Sequence, residues 1–214
     1  MDAYNAIVQF FQTGGLFMYP IVLVLALGVA IAVERYVYLT LSRTTNRKLW
    51  SSLQPLLRQG DFKRAGALLA KSTTAIGKVL HYGLSRTGTA RRRDDIGTAM
   101  EEGLMEVIPQ LEKRTHYLAT FANIATLLGL LGTIIGLIQA FTAVSAANPA
   151  EKADMLSASI SVAMNTTAFG LIVAIPLLLM HTVLQTKTVE LVDSLEMASV
   201  KFLNMVTERA EAAR

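Results

Sequence analysis

Three stretches of this 214-residue chain contain no Asp, Glu, Lys or Arg: Ala3–Val33, Thr115–Ala150 and Met155–Thr186. A helix needs about 20 predominantly apolar residues to cross a bilayer. A charge at mid-span costs roughly 2.5–3.5 kcal/mol on insertion scales. Each stretch exceeds the required length, so the sequence predicts an all-α integral membrane protein with three transmembrane helices. The spans fall at about 16–39, 117–147 and 155–185, with a cytoplasmic loop over about 40–115 and a cytoplasmic C-terminal helix over about 186–214. The second and third helices are expected to extend far into the cytoplasm. Too little chain remains for a large separate soluble domain, so 1–214 reads as a single domain.

Several function classes fit poorly. There is no cysteine, hence no disulfide, thiol nucleophile or thiolate metal site. The three histidines, His81, His116 and His181, are scattered in sequence and lack H-x-x-x-H or H-E-x-x-H spacing, which argues against a metal site. No Gly-rich phosphate loop and no convergent acid–base set is visible, so the chain does not read as an enzyme, and no cofactor is expected.

The net charge of +4 follows membrane topology rather than a nucleic-acid face. The segment Arg35–Arg114 holds fifteen Lys or Arg, the residues before the first span hold none, and the link Asn148–Asp154 holds only Lys152. Positive charge marks the cytoplasmic side. The N-terminus and the short link are therefore expected outside, and the basic segment and C-terminal tail inside. Because no basic n-region or small-residue cleavage site is present, the start does not read as a cleaved signal peptide. Asp2, Asn5, Gln9 and Gln12 share one helical face and Tyr4, Ile7, Val8 and Phe11 the other, as in a helix lying in the outer interface.

Within the basic segment, Leu49–Gln59 and Phe62–Lys71 read as two short helices split by Gly60-Asp61, with Ala75–Ser85 a third. Glu34-Arg35 reads as an interfacial ion pair with snorkelling stems. A long helix starts near Asp94, acids first as the helix dipole favours. No stop signal separates it from the second span, so the two are expected to be continuous. Beyond His181 the third helix carries an apolar stripe among charges, and needs a partner such as this extension.

The second and third spans are unusually rich in small and polar residues. Ala122, Thr126, Gly129, Thr133, Gly136 and Ala140 fall within about a third of a helical circumference. Gly132 and Gly136 have the small-xxx-small spacing that lets helices approach closely. In the third span Ser157, Ser161 and Asn165 form one stripe; Ser159, Thr166 and Gly170 form another, beside Thr167. An asparagine in hydrocarbon is unfavourable without a partner. This helix should therefore face protein, water or both. Neither span carries a mid-membrane carboxylate, so a proton relay through them would borrow one from another chain.

Gly129-Leu-Leu-Gly-Thr-Ile-Ile-Gly-Leu-Ile138 with Ala140-Phe141, and Thr166-Thr-Ala-Phe-Gly-Leu-Ile-Val-Ala-Ile-Pro176, resemble the second- and third-span signatures of the MotA/TolQ/ExbB proton-channel family. Three spans, the large loop and Glu34-Arg35 place the resemblance nearest the ExbB/TolQ branch. It implies an ion-conducting, stator-like subunit of an inner-membrane complex that converts proton-motive force into work at the cell envelope. It implies a homopentamer around a single-span ExbD/TolR-like partner that supplies a membrane aspartate, with a TonB-like protein as a further partner. It places Thr133 and Thr167 on the ion route; Thr166, Asn165 and Ser161 of the polar stripes are expected to line the same pathway, and Gly129, Gly132, Gly136 and Gly170 to pack helices. Val162 stands where ExbB- and TolQ-like members often carry a glutamate. A sodium-driven variant and a non-conducting membrane scaffold are the alternatives. A secondary transporter is disfavoured, because inverted repeats and broken mid-membrane helices are absent.

Overall fold

The computed structural model describes residues 14–87, 93–146, 148 and 151–212. The regular structure among them is entirely helical: α1 Met18–Gln59, α2 Phe62–Ala70, α3 Ala75–Arg86, α4 Arg93–Glu112, α5 Thr115–Ala146 and α6 Lys152–Ala212. The interfacial helix expected over Asp2–Gln12 lies outside the described residues, as do Arg91 and Arg92. Windows in α1, α5 and α6 are long and apolar enough to cross a membrane. The chain is thus an all-α membrane protein with three spans.

Two expectations about helix ends need correction. Leu49–Gln59 is no separate helix but the last part of α1, which runs unbroken for 42 residues. No glycine interrupts Tyr36–Gln59. The hydroxyls of Thr44, Thr45, Ser51 and Ser52 bond to carbonyls of the preceding turn and so do not compete with the helix. Pro55 frees only the carbonyl of the exposed Ser51, which water can satisfy. The helix stops at Gly60, whose φ of +76° suits glycine. Gly60 N–H donates to Leu57 O at 3.1 Å and Asp61 N–H to Leu56 O at 3.0 Å, the paired bonds of a Schellman ending. Asp61 then caps α2 by accepting from Arg64 N–H at 3.0 Å.

The second correction is at Lys113-Arg114, where the expected continuous helix is broken. α4 ends at Glu112 and α5 begins at Thr115. Arg114 takes φ 66°, which a non-glycine residue adopts only under constraint. The stop comes from another helix. Arg35 of α1, 3% exposed, donates a guanidinium hydrogen bond to the Leu111 carbonyl. It thereby satisfies one of the acceptors that a helix end leaves open.

The described residues pack as two compact units, each assembled from separate parts of the chain: residues up to Val33 with Arg114–Val183, and Glu34–Lys113 with Leu184–Arg214. In the second unit α6 buries Leu184, Thr188, Leu191, Leu195, Ala198 and Phe202. Steps alternating between four and three residues make a straight seam along one side of the helix. Gly97, Met100 and Leu104 of α4 line a groove with Ser199, Val200 and Leu203 of α6, so α4 does partner this stripe.

In the first unit the three spans bury small residues against one another. The buried set includes Ala32 of α1, Ala122, Ala125 and Ala140 of α5, and Ala163 and Ala174 of α6. No more than a third of each apolar window is buried within the chain. Leu127, Ile138, Phe141, Met164 and Leu179 are exposed, and lipid or other protein must cover them.

Candidate functional site

In the membrane-spanning unit α5 and α6 meet backbone to backbone, and glycines make the contact. A Cβ added at Gly129 would lie 3.2 Å from Thr167 Cα and 3.3 Å from Gly170 Cα. One added at Gly170 would lie 2.7 Å from the Ala125 carbonyl oxygen. These neighbours are backbone atoms and cannot swing aside. Gly136 sits against Ala163, whose Cβ would be 2.9 Å from an added methyl, and Gly132 sits against the Thr166 side chain. The small residues therefore set the interhelical distance.

That proximity brings two hydroxyls together. Thr133 and Thr167 are half-buried and their Oγ1 atoms form a hydrogen bond with each other. Thr167 Oγ1 donates across the interface to Gly129 O at 2.8 Å, and Thr133 Oγ1 is 3.3 Å from the same carbonyl and 3.5 Å from Ala163 O. Two protons serve several acceptors, so each hydroxyl keeps a lone pair and can exchange partners. The pair is polar and partly accessible.

Thr166 does something different. It is 2% exposed, and its hydroxyl bonds to Val162 O at 3.0 Å and to the Gly14 carbonyl. That contact fastens the chain just before α1 to α6. Ser161 and Asn165 are not brought to the threonine pair. Asn165 is 200° from Thr167 around α6 by helical geometry, and Ser161 is exposed with Ser157 on the same outward side. The two polar stripes of α6 thus point in different directions. Thr166 and Gly170 face the interior, while Ser157, Ser161 and Asn165 face away from α5.

Two features escaped the sequence reading. Arg35 is a buried helix-ending donor that also lies 4.8 Å from the Tyr38 ring, in place of a purely interfacial role. Its signal was a lone arginine at the end of an apolar window, which cannot be told from a snorkelling one. His116 and His181, 65 positions apart, have ring centroids separated by 6.3 Å. Their shared signal was that each lies where an apolar stretch meets charge, at Arg114 and Lys187.

Fold and site together define a three-span helical membrane subunit, with two glycine-packed spans that present a hydroxyl pair and contain no Asp or Glu of their own. Residues 71–197, more than half the chain, match the MotA/TolQ/ExbB proton channel family, and the chain belongs to that family. An ExbB homolog of Methanothermobacter thermautotrophicus, named for biopolymer transport, is 26% identical over 92% of this chain and 69% of its own length. The biopolymer transport protein exbB1 of Vibrio cholerae is 29% identical over 78% of this chain and 74% of its own length. The Tol-Pal system protein TolQ of Haemophilus influenzae is 40% identical over a shorter region, 36% of this chain and 34% of its own. These likenesses place the chain in the ExbB/TolQ branch. At family level it is a proton-motive-force-coupled subunit that energises the cell envelope.

Proposed function

We propose that this chain is the ion-conducting, stator-like subunit of an inner-membrane complex, in which it forms a homopentamer around an ExbD/TolR-like single-span partner. Thr133 and Thr167 line the route on which a partner aspartate takes up and releases its ion. The observation that carries this reading is the hydroxyl pair itself, held at the α5–α6 contact by Gly129 and Gly170 in spans without an acid. A buried carboxylate in a neighbouring helix would need such groups to exchange a proton through water, or to strip the shell of a cation. Thr166, with its hydroxyl committed to Gly14, serves the fold rather than the route. Ser161 and Asn165 face away from the pair and are assigned to contact with a neighbouring copy or the partner helix. Protons are the ion, by family likeness, and a TonB-like protein is the further partner. The chain carries out no covalent chemistry.

The test is Thr133→Val, Thr167→Val and the double variant in an envelope-energisation assay, with complex abundance measured alongside. Expected is a loss of about two- to tenfold for each single change, the scale of one hydrogen bond of about 0.5–1.5 kcal/mol at the barrier. Normal activity of an intact double variant would remove these residues from the route. It would favour the non-conducting scaffold.

A further inference from the structure

We propose that His116 and His181 form a two-histidine site for a divalent transition-metal ion such as Zn2+, Ni2+ or Cu2+, tying the first turn of α5 to α6. The rings are 6.3 Å apart between centroids and tilted by 48°. A metal bonded at about 2.0–2.1 Å to one nitrogen of each ring draws the centroids to roughly 5–6 Å, a side-chain adjustment and not a helix movement. His181 Nε2 is buried and has no hydrogen-bond partner within the protein. A buried imidazole nitrogen left without a partner is uncommon and calls for an explanation. Thr115, one residue before His116, likewise leaves a buried hydroxyl without a partner. His116 is exposed, so an ion can arrive from water.

The chemistry selects the class of ion. A pair of imidazole ligands suits borderline transition metals rather than Ca2+ or Mg2+, which require oxygen ligands. Among the described residues no third His, Cys, Asp or Glu completes the set, so water fills the remaining positions. Lys113 and Arg114 precede His116 closely, and α5 begins at Thr115. Both effects oppose a cation, so binding is weaker than at a closed four-ligand structural site. The site is independent of any ion route through Thr133 and Thr167.

The experiment uses the full chain, purified without a polyhistidine tag in mild detergent, and titrated with Ni2+ or Zn2+ during thermal unfolding. A saturable rise in Tm of about 3–6 °C is expected, since a ligand that binds only the folded state stabilises it. His116→Ala and His181→Ala should each abolish the rise, and His81→Ala should keep it. With Cu2+, electron paramagnetic resonance should show coupling to two nitrogens in the native protein and at most one in either variant. If His181→Ala fails to fold, the exposed His116→Ala decides alone. No metal-dependent rise and no nitrogen coupling, or a rise that survives His116→Ala, overturns the proposal.

Discussion

A threonine hydroxyl in an apolar span can bond to the carbonyl one turn back and be silent, or it can reach another helix. Thr126 takes the first course, to Ala122 O at 3.1 Å, and Thr167 takes the second, to Gly129 O at 2.8 Å. Thr126→Val should therefore leave envelope energisation within about twofold of the parent, on the footing of a near-neutral exposed substitution. An effect as large as that of Thr167→Val would show that general helix packing, not a route, is being disturbed. Outside the membrane one titratable contact is informative. Tyr82 donates its hydroxyl to Glu106 Oε2 at 2.9 Å, and this bond, with the nearby negative charge, raises the phenol above its ordinary value of 10.0. The raised value belongs to the folded state, so any stabilisation is complete below pH of about 10 and is lost as pH climbs through the raised value. Glu106→Gln should bring the Tyr82 titration, followed by ultraviolet difference absorbance against a Tyr82→Phe control, back toward the ordinary value. An unchanged titration would mean that the contact is not made in solution.

At the scale of helices, the same small residues that make the α5–α6 contact also make it fragile. Gly170→Ala puts a methyl 2.7 Å from a backbone oxygen of α5, so the helices must separate. A cost of about 1–3 kcal/mol is expected for such overpacking, with the Thr133–Thr167 bond stretched. Measured by thermal unfolding, Gly170→Ala should be clearly worse than Gly60→Ala, because at position 60 there is open space around the added Cβ and only the positive φ opposes it. Equal losses would show that α5 and α6 are not in close contact. Arg35→Met should cost about 1.5–3 kcal/mol, the scale of a hydrogen bond from a charged donor; an unchanged Tm would show that Arg35 does not end α4. These elements also mark how far the sequence could be read. The spans were visible because an absent charge is a one-dimensional signal. The glycine faces were visible because helical periodicity maps spacing onto direction. The ending of α4 was hidden because it depends on a guanidinium 76 residues away rather than on a local stop signal. The extent of α1 was hidden because Pro55 suggests a break only until the exposure of Ser51 is known. The split of the α6 stripes was implicit in the 100° step, yet which stripe faces inward needed the position of α5.

At the scale of the molecule, the decisive quantity is surface left uncovered. At most a third of each apolar window is buried within one chain, and the exposed part of α6 includes Ser157 and Ser161 as well as Leu179 and Ile172. Lipid can cover the aliphatic positions but adds no hydrogen-bond partner for the exposed hydroxyls. The outward side of α6 thus combines exposed aliphatic and hydroxyl side chains, and repeating the chain around an axis would cover both without a second kind of subunit. The number of copies proposed above is five. Native mass spectrometry in mild detergent should show a homopentamer, with weaker association in a Ser161→Leu, Asn165→Leu double variant than in Ile172→Leu. A stable monomer, or assembly indifferent to the polar pair, would count against an interface on this side of α6. Orientation can be tested on the same complex in sealed vesicles. The basic bias of Arg35–Arg114 predicts a cytoplasmic position for that segment, so single cysteines at Asn148 and Arg91 should react with impermeant reagents from opposite sides. Reaction of both from one side would refute the topology. It would also reverse the direction of the proposed ion route past Thr133 and Thr167.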